Sequence, residues 1–304
     1  MFRYRVRPES TEYEFSAALR LRLTNAGRQL SNFQFLHARN ERRYQVRLAR
    51  HDAHLPVLTA QQSSVVEELT QSHVAVRPAG FDNAARQSAA RAVEWLEADP
   101  STEAVTYLPL AELAGNTALF TWGLSDHNLD IAENYIGLPV RYLGLEIKVE
   151  RAAATTTFNS ARNWHIDIED RRMVKIIVYL NDVDELTGPF EFISAADTDA
   201  LRRMLRWQPG LTFLTDPELR EALPEIRGHR VTGGDGTAVF VDTSRLVHRV
   251  SRPQTRNRYS ATFVYTSDRP FHTVARFMPS RDIVRPVLPT LSPRQRKALV
   301  GADS

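Results

Sequence analysis

Two kinds of hydrophobic patterning run along the chain, and the change between them falls near Tyr135. Before it, apolar residues recur at helical spacing. Phe15, Leu19, Leu23, Leu30 and Phe33 do so between Glu12 and about His37, which predicts an amphipathic helix flanking the main core. A second helix is expected from a cap at Thr59 to Thr70, followed by a short strand in HVAVRPAGF. A third should run from Asn83 to Ala98, with Ala84, Ala92, Trp95 and Leu96 available for packing.

After Tyr135 the period shortens. PVRYLGLEIKVERA, NWHIDIE, MVKIIVYLNDV, GPFEFIS, TAVFVDT and RYSATFVYTS read as short β-rich runs ending near Tyr265. Turn signals separate them at Gly188-Pro189, at Gly233-Gly234-Asp235-Gly236 and at Arg252-Pro253, and one helical insert is expected from Asp197 to Trp207. Close succession of strands predicts a mainly β fold with flanking helices, a sandwich or jelly roll rather than a parallel α/β sheet. No repeat or composition shift cuts the chain, so residues 1–304 are read as one domain. It comprises a mostly helical flank (1–134), a jelly-roll core (135–270) with a helical, lid-like insert at 195–230, and a C-terminal extension (271–304).

Composition narrows the chemistry. With 42% hydrophobic residues in 304, the chain can fill a sizeable core, and with no cysteine it has neither disulfides nor a thiolate ligand or nucleophile. Any metal must be held through nitrogen and oxygen. The opening MFRYRVRPES lacks an apolar signal region, and no run of about 18 apolar residues occurs, so a cytoplasmic protein without a membrane anchor is expected. Arginines crowd RYRVR, LRLR and ARNERRYQVRLAR, which raises nucleic acid as a partner. Glu9, Glu12, Glu14 and Glu41 are interspersed with them, and no stacking module or major-groove helix motif stands beside them. A small-molecule substrate is the partner expected instead.

Of the nine histidines, His37, His51, His54, His73, His127, His229 and His272 have no carboxylate or second histidine at ligand spacing. His165 does. In Trp164-His165-Ile166-Asp167 the alternation of a strand puts His165 and Asp167 on one face and Ile166 on the other. His-X-Asp alone is a weak signal and needs a third ligand. His248 is the candidate, at the end of TAVFVDTSRLVH, read as a second strand; in a jelly roll the ends of distant strands meet at one mouth. Two histidines and a carboxylate on one side of a metal leave the opposite positions open, the arrangement expected of non-haem iron oxygenases.

Downstream, Arg258 opens the next strand and Ser260 shares its face. A planar guanidinium with a hydroxyl beside it suits the distal carboxylate of a bound dicarboxylate such as 2-oxoglutarate. Arg256 would share that face in an unbroken strand; Arg258 is preferred because the apolar run starts there and Ser260 follows. Lys175, inside MVKIIVYL, needs a partner if buried, either an acid or the mouth of the site. Trp164 reads as a packing residue, and Asn163 as a contact for cosubstrate or substrate.

At these residues the chain resembles the iron(II)- and 2-oxoglutarate-dependent dioxygenase superfamily, and within it the phytanoyl-CoA hydroxylase-like branch. The resemblance is carried by WHID at Trp164 to Asp167, YLNDVDELTGPFEFIS at Tyr179 to Ser194, and VFVDTSRLVHR followed by Arg258-Tyr259-Ser260. It implies a double-stranded β-helix (jelly-roll, cupin-like) core, Fe(II) bound by His165, Asp167 and His248, and 2-oxoglutarate anchored by Arg258 with Ser260. O2 would be the second cosubstrate, and succinate and CO2 would accompany oxidation of the substrate. In some relatives a lysine holds the distal carboxylate, which keeps Lys175 among the candidates. Related halogenases replace the metal-binding carboxylate by a small residue, so Asp167 implies oxygenation. Arg162, Arg171, Arg172, Arg249 and Arg252 near the motif favour a polar or anionic substrate, a biosynthetic intermediate under the lid-like insert. Two other readings stay open: a cupin-like divalent-metal enzyme that does not use 2-oxoglutarate, and a non-catalytic jelly-roll binding protein.

Overall fold

The computed structural model describes residues 34–114, 117–152, 162–210, 212–271 and 281–299. Most of the helix expected between Glu12 and His37 lies outside them; its last residues fall within α1 (Gln34–Asp52). The chain divides into two compact units, one ending at Arg50 and one starting at His51. In the first, Arg39, Arg42, Arg43 and Arg50 are exposed along the helix.

The second unit opens with two of the expected helices, the first at its expected cap. α2 (Ala60–Ser72) starts at Thr59, whose side chain and that of Gln62 satisfy each other's backbone amides in a capping box, and it buries Val65 and Leu69. After β1 (Val74–Pro78), α3 (Asn83–Ala98) is capped by Asp82, which accepts from the Ala85 amide at 2.7 Å. Its buried stripe is Ala85, Ser88, Ala89, Ala92 and Leu96. Ala92 and Leu96 are buried as expected, whereas Ala84 is exposed and Trp95 half-buried. β2 (Val105–Tyr107), α4 (Leu110–Ala114), α5 (Thr117–Gly123) and α6 (Asp126–Ile136) follow.

From there the chain builds two antiparallel sheets. The strands are β3 (Val140–Glu150), β4 (Val174–Tyr179), β5 (Phe190–Phe192), β6 (His229–Val231), β7 (Thr237–Val241), β8 (His248–Val250) and β9 (Arg258–Ser267). The large sheet has the order β1-β7-β4-β9-β3-β2 and the small one β6-β5-β8. Ile177, Tyr179, Val239 and Val241 of the large sheet pack against Phe190, Val231 and Leu246 from the side of the small one. Strand β4 is buried along its whole length because its other face lies under the helices. One such tie is the Tyr265 hydroxyl, which donates to the Gly123 carbonyl at 2.6 Å. The molecule is thus a jelly-roll core with flanking helices, as the strand pattern predicts.

Two details depart from expectation and matter for the site. NWHIDIE is not a regular strand: Trp164 and His165 make isolated bridges to Leu214 and His248, with no longer ladder. TAVFVDTSRLVH is not one strand either. It breaks after Val241, turns through residues 242–247, and resumes as β8 in the other sheet. The insert is helical as expected: α7 (Ala195–Met204) starts at Ser194, before the expected Asp197, and α8 (Asp216–Ala222) follows. After α9 (Arg281–Val287) and a 3-10 turn (Leu288–Thr290), α10 (Pro293–Ala298) ends the described chain, and no described helix is long and apolar enough to cross a membrane.

Candidate metal centre

The turn between β7 and β8 organises the site. One Asp242 carboxylate oxygen accepts from the Ser244 amide (2.9 Å) and hydroxyl (2.6 Å), the other from the Tyr135 hydroxyl on α6 (2.8 Å). Burial raises the Asp242 pKa to about 6 even though these donors favour the ionised form. The turn held in this way exposes two carbonyls to the neighbouring segment. That of Thr243 accepts from the Asp167 amide at 3.0 Å, and that of Leu246 accepts from His248 Nδ1 at 3.0 Å.

His165 and His248 exchange both of their backbone hydrogen bonds, at 2.9 and 3.0 Å, which brings their ring centroids to 4.3 Å. His165 Nδ1 donates to the Asn163 carbonyl at 2.8 Å. With Nδ1 engaged in both rings, each Nε2 turns toward Asp167, 3.6 Å from Oδ1 for His165 and 3.7 Å from Oδ2 for His248. The three ligand atoms lie within 4.8 Å of one another, a span that a single metal ion fits.

Electrostatics keep these groups in their ligating forms. Burial lowers the pKa of both histidines, that of His248 to about 3, so both rings are neutral at neutral pH. Burial works the other way on Asp167, but the Lys175 ammonium, 2.5 Å from Oδ2, holds its carboxyl below the usual carboxylate range. Lys175 is also 3.6 Å from Glu169. Lys175, open in the sequence to an acid, the site mouth or the distal carboxylate, lies against acids at the metal end of the cavity.

The cavity continues from the triad along the inner face of the large sheet. Cross-strand neighbours Glu146 and Thr262, and Lys148 and Ser260, line it together with Arg258, whose own cross-strand neighbour Glu150 stands behind the lining. Ile177, Phe190 and Val250 give it apolar walls. Arg258 is 1% exposed, and its Nη2 donates to Glu150 at 2.8 Å. Its Nε and Nη1 and the Ser260 hydroxyl are buried without a hydrogen-bond partner among the described residues. Arg256 instead lies outside, exposed and paired with Asp184 at 2.9 Å. Asn163 enters through its carbonyl, and its side chain is not among those lining the cavity.

The residues alternating with the ligands point the other way. The Arg249 guanidinium lies 4.4 Å over the Trp164 ring, and both side chains donate to Asp216 of α8, at 2.7 and 3.0 Å. Arg249 also donates to the buried Glu191 at 2.7 Å, as does Arg230, and Ser251 does so at 2.5 Å. Arg172 stacks on Tyr135 and donates to its carbonyl. Arg249 and Arg172, two of the arginines considered for an anionic substrate, are therefore spent on structure. Glu146, Lys148 and Glu150 went unassigned in the sequence. Their trace there was three charged residues at alternate positions of an otherwise apolar strand, LEIKVE.

The chain matches no protein-family model and no curated protein. Its architecture does recur among solved structures. SnoN, the non-haem α-ketoglutarate-dependent epimerase of nogalamycin biosynthesis, superposes with a TM-score of 0.50 at 17% identity, over 69% of this chain and 85% of that one. Its complex with Fe3+, α-ketoglutarate and nogalamycin RO gives 0.51 at the same identity and the same coverage. SnoK, the carbocyclase of the same biosynthesis, gives 0.50 at 16% identity, over 78% and 92%. At such identities the likeness establishes a shared fold, the jelly roll of these enzymes.

Proposed function

We propose that the protein is an iron(II)- and 2-oxoglutarate-dependent oxygenase that oxidises a small-molecule substrate. One observation carries the reading: a single cavity joins the His165, Asp167 and His248 cluster to a buried arginine and serine, of which Arg258 Nε and Nη1 and Ser260 Oγ lack partners among the described residues. Leaving a buried donor unsatisfied costs about 1–3 kcal/mol, so the site calls for an acceptor there. A ligand that chelates a metal at one end and carries a carboxylate at the other answers both halves. A divalent-metal enzyme without such a ligand explains the triad and leaves Arg258 and Ser260 unaccounted for.

In this reading His165, Asp167 and His248 hold iron on one face. Arg258 Nε and Nη1 with Ser260 Oγ hold the distal carboxylate of 2-oxoglutarate. Bound iron with 2-oxoglutarate and O2 supplies hydrogen abstraction from the substrate, with succinate and CO2 as co-products. The chain's own part is ligand spacing, fixed by main-chain hydrogen bonds, and apolar walls that limit water. Asp167, which fills the carboxylate position, supports oxygenation over halogenation. SnoN has been crystallised with nogalamycin RO, which supports a natural-product intermediate as the substrate class.

The test is anaerobic loading with Fe(II) and 2-oxoglutarate. A visible metal-to-ligand absorption band, and slow succinate release on admitting air, are expected; loss of both with iron bound overturns the proposal. His248→Ala should abolish iron retention. Arg258→Ala should keep iron and raise the 2-oxoglutarate requirement, whereas Arg256→Ala should change neither.

A further inference from the structure

Behind the cavity wall, Arg258 has an acidic partner that the oxygenase reading does not use. Glu150 and Arg258 face each other across β3 and β9, at 0% and 1% side-chain exposure, joined at 2.8 Å. Lys148, on the same face of β3, is 3.1 Å from Glu150 and 3.7 Å from Glu146. Glu146, Lys148 and Arg258 thus line the wall with Glu150 directly behind them, and an arriving anion meets a guanidinium already paired from behind rather than a bare one. Burying such a cluster costs desolvation that apolar residues would not incur, so it is a poor device for stability alone.

We propose that Glu150 is a specificity-determining residue: a built-in carboxylate that competes with the ligand's own carboxylate for Arg258 and so sets the anion affinity of the cavity. The inference rests on the cosubstrate reading above. Because Glu150 takes Arg258 Nη2 and offsets part of its charge, a ligand's carboxylate is left Nε, Nη1 and Ser260 Oγ. Those contacts alone hold a simple carboxylate weakly. Only a ligand that also chelates the metal is retained, so simple carboxylates and inorganic anions are rejected. Burial disfavours the charge on Glu150, and Arg258 and Lys148 outweigh it, keeping the group ionised and the competition in place at neutral pH.

The test uses succinate, which has the distal carboxylate and lacks the 2-oxo acid chelate. Titration calorimetry on the metal-free full chain should show weak binding by the wild type and binding at least ten-fold tighter by Glu150→Gln. The gain should vanish in the Glu150→Gln, Arg258→Ala double variant. If Glu150→Gln does not fold, Glu150→Asp, which keeps the charge and withdraws it by one methylene, should bind succinate about three-fold tighter. Succinate affinity unchanged or weakened in the folded variant overturns the inference, since a residue that merely orients Arg258 gives that result. Ni(II)-loaded wild type titrated with 2-oxoglutarate separates the two readings: no binding there defeats the cosubstrate reading, whatever Glu150 does.

Discussion

The Ser260 hydroxyl is fully buried and has no hydrogen-bond partner among the described residues, so its removal has little in the folded protein to break. Ser260→Ala should therefore leave the melting temperature nearly unchanged. It should weaken 2-oxoglutarate binding by about 1 kcal/mol, roughly five-fold, the worth of one hydrogen bond. Calorimetry on the Ni(II)-loaded protein beside a thermal melt checks both halves, and a large stability loss would mean the hydroxyl has a structural partner instead. At this scale the sequence was readable where residue type and spacing suffice: His165, Asp167 and His248 come together as read, and Arg258 rather than Arg256 faces inward. It was unreadable where the contribution is a backbone carbonyl, as at Asn163. Lys175 could be narrowed only to an acid, the site mouth or the distal carboxylate, because its partner Asp167 becomes a neighbour only in the fold. Glu146, Lys148 and Glu150 were hidden for another reason: alternation says that three side chains share a face, not whether the face meets solvent or a cavity.

Among elements, the small sheet and the insert are fastened together through Asp216. Its carboxylate takes Trp164 and Arg249, the immediate neighbours of His165 and His248. Asp216→Ala should speed amide exchange at residues 164–165 and 248–250 and weaken Co(II) binding by roughly ten-fold, the low end for residues that support metal ligands. Hydrogen exchange and a Co(II) titration measure these; unchanged exchange would assign Asp216 to the surface of α8 alone. Gly188 opens β5 at φ 79°, and a Cβ there would stand 2.7 Å from the Ser251 carbonyl oxygen. Because that contact is main chain and cannot swing away, Gly188→Ala should cost about 1–3 kcal/mol in denaturant unfolding. The strand-rich core and the Thr59 cap were legible from period and cap residue. The bridge at Trp164 and His165 was not, since its partners Leu214 and His248 are far along the chain and local propensity does not name them. The break after Val241 did leave a signal, the Asp242-Thr243-Ser244 turn sequence, which the apolar residues on either side concealed.

For the whole molecule, stability against acid follows from carboxylates that fold into ion pairs. Glu191 is 2% exposed and accepts from Arg230, Arg249 and Ser251. Burial alone would raise its pKa, but these donors bring it below the usual carboxylate range. A group depressed on folding contributes stability that is fully present above its unfolded pKa and is lost as pH falls through its folded pKa. Unfolding free energy measured in urea should accordingly decline below about pH 4.5 in the wild type. Glu191→Gln should start lower at pH 7, by about 1–3 kcal/mol, and decline less steeply. Parallel slopes in the two proteins would remove Glu191 from the account.

The reciprocal backbone bonds between His165 and His248 bear on more than the present pair of rings. They register two distant segments through a main-chain ring that is indifferent to which side chains it carries. Exchanging either imidazole for a carboxylate or an amide would change the hardness of the donor set while its attachment points stayed in place. The preference for one metal over another is in that sense a replaceable part, editable one residue at a time on a gauge that the backbone keeps constant.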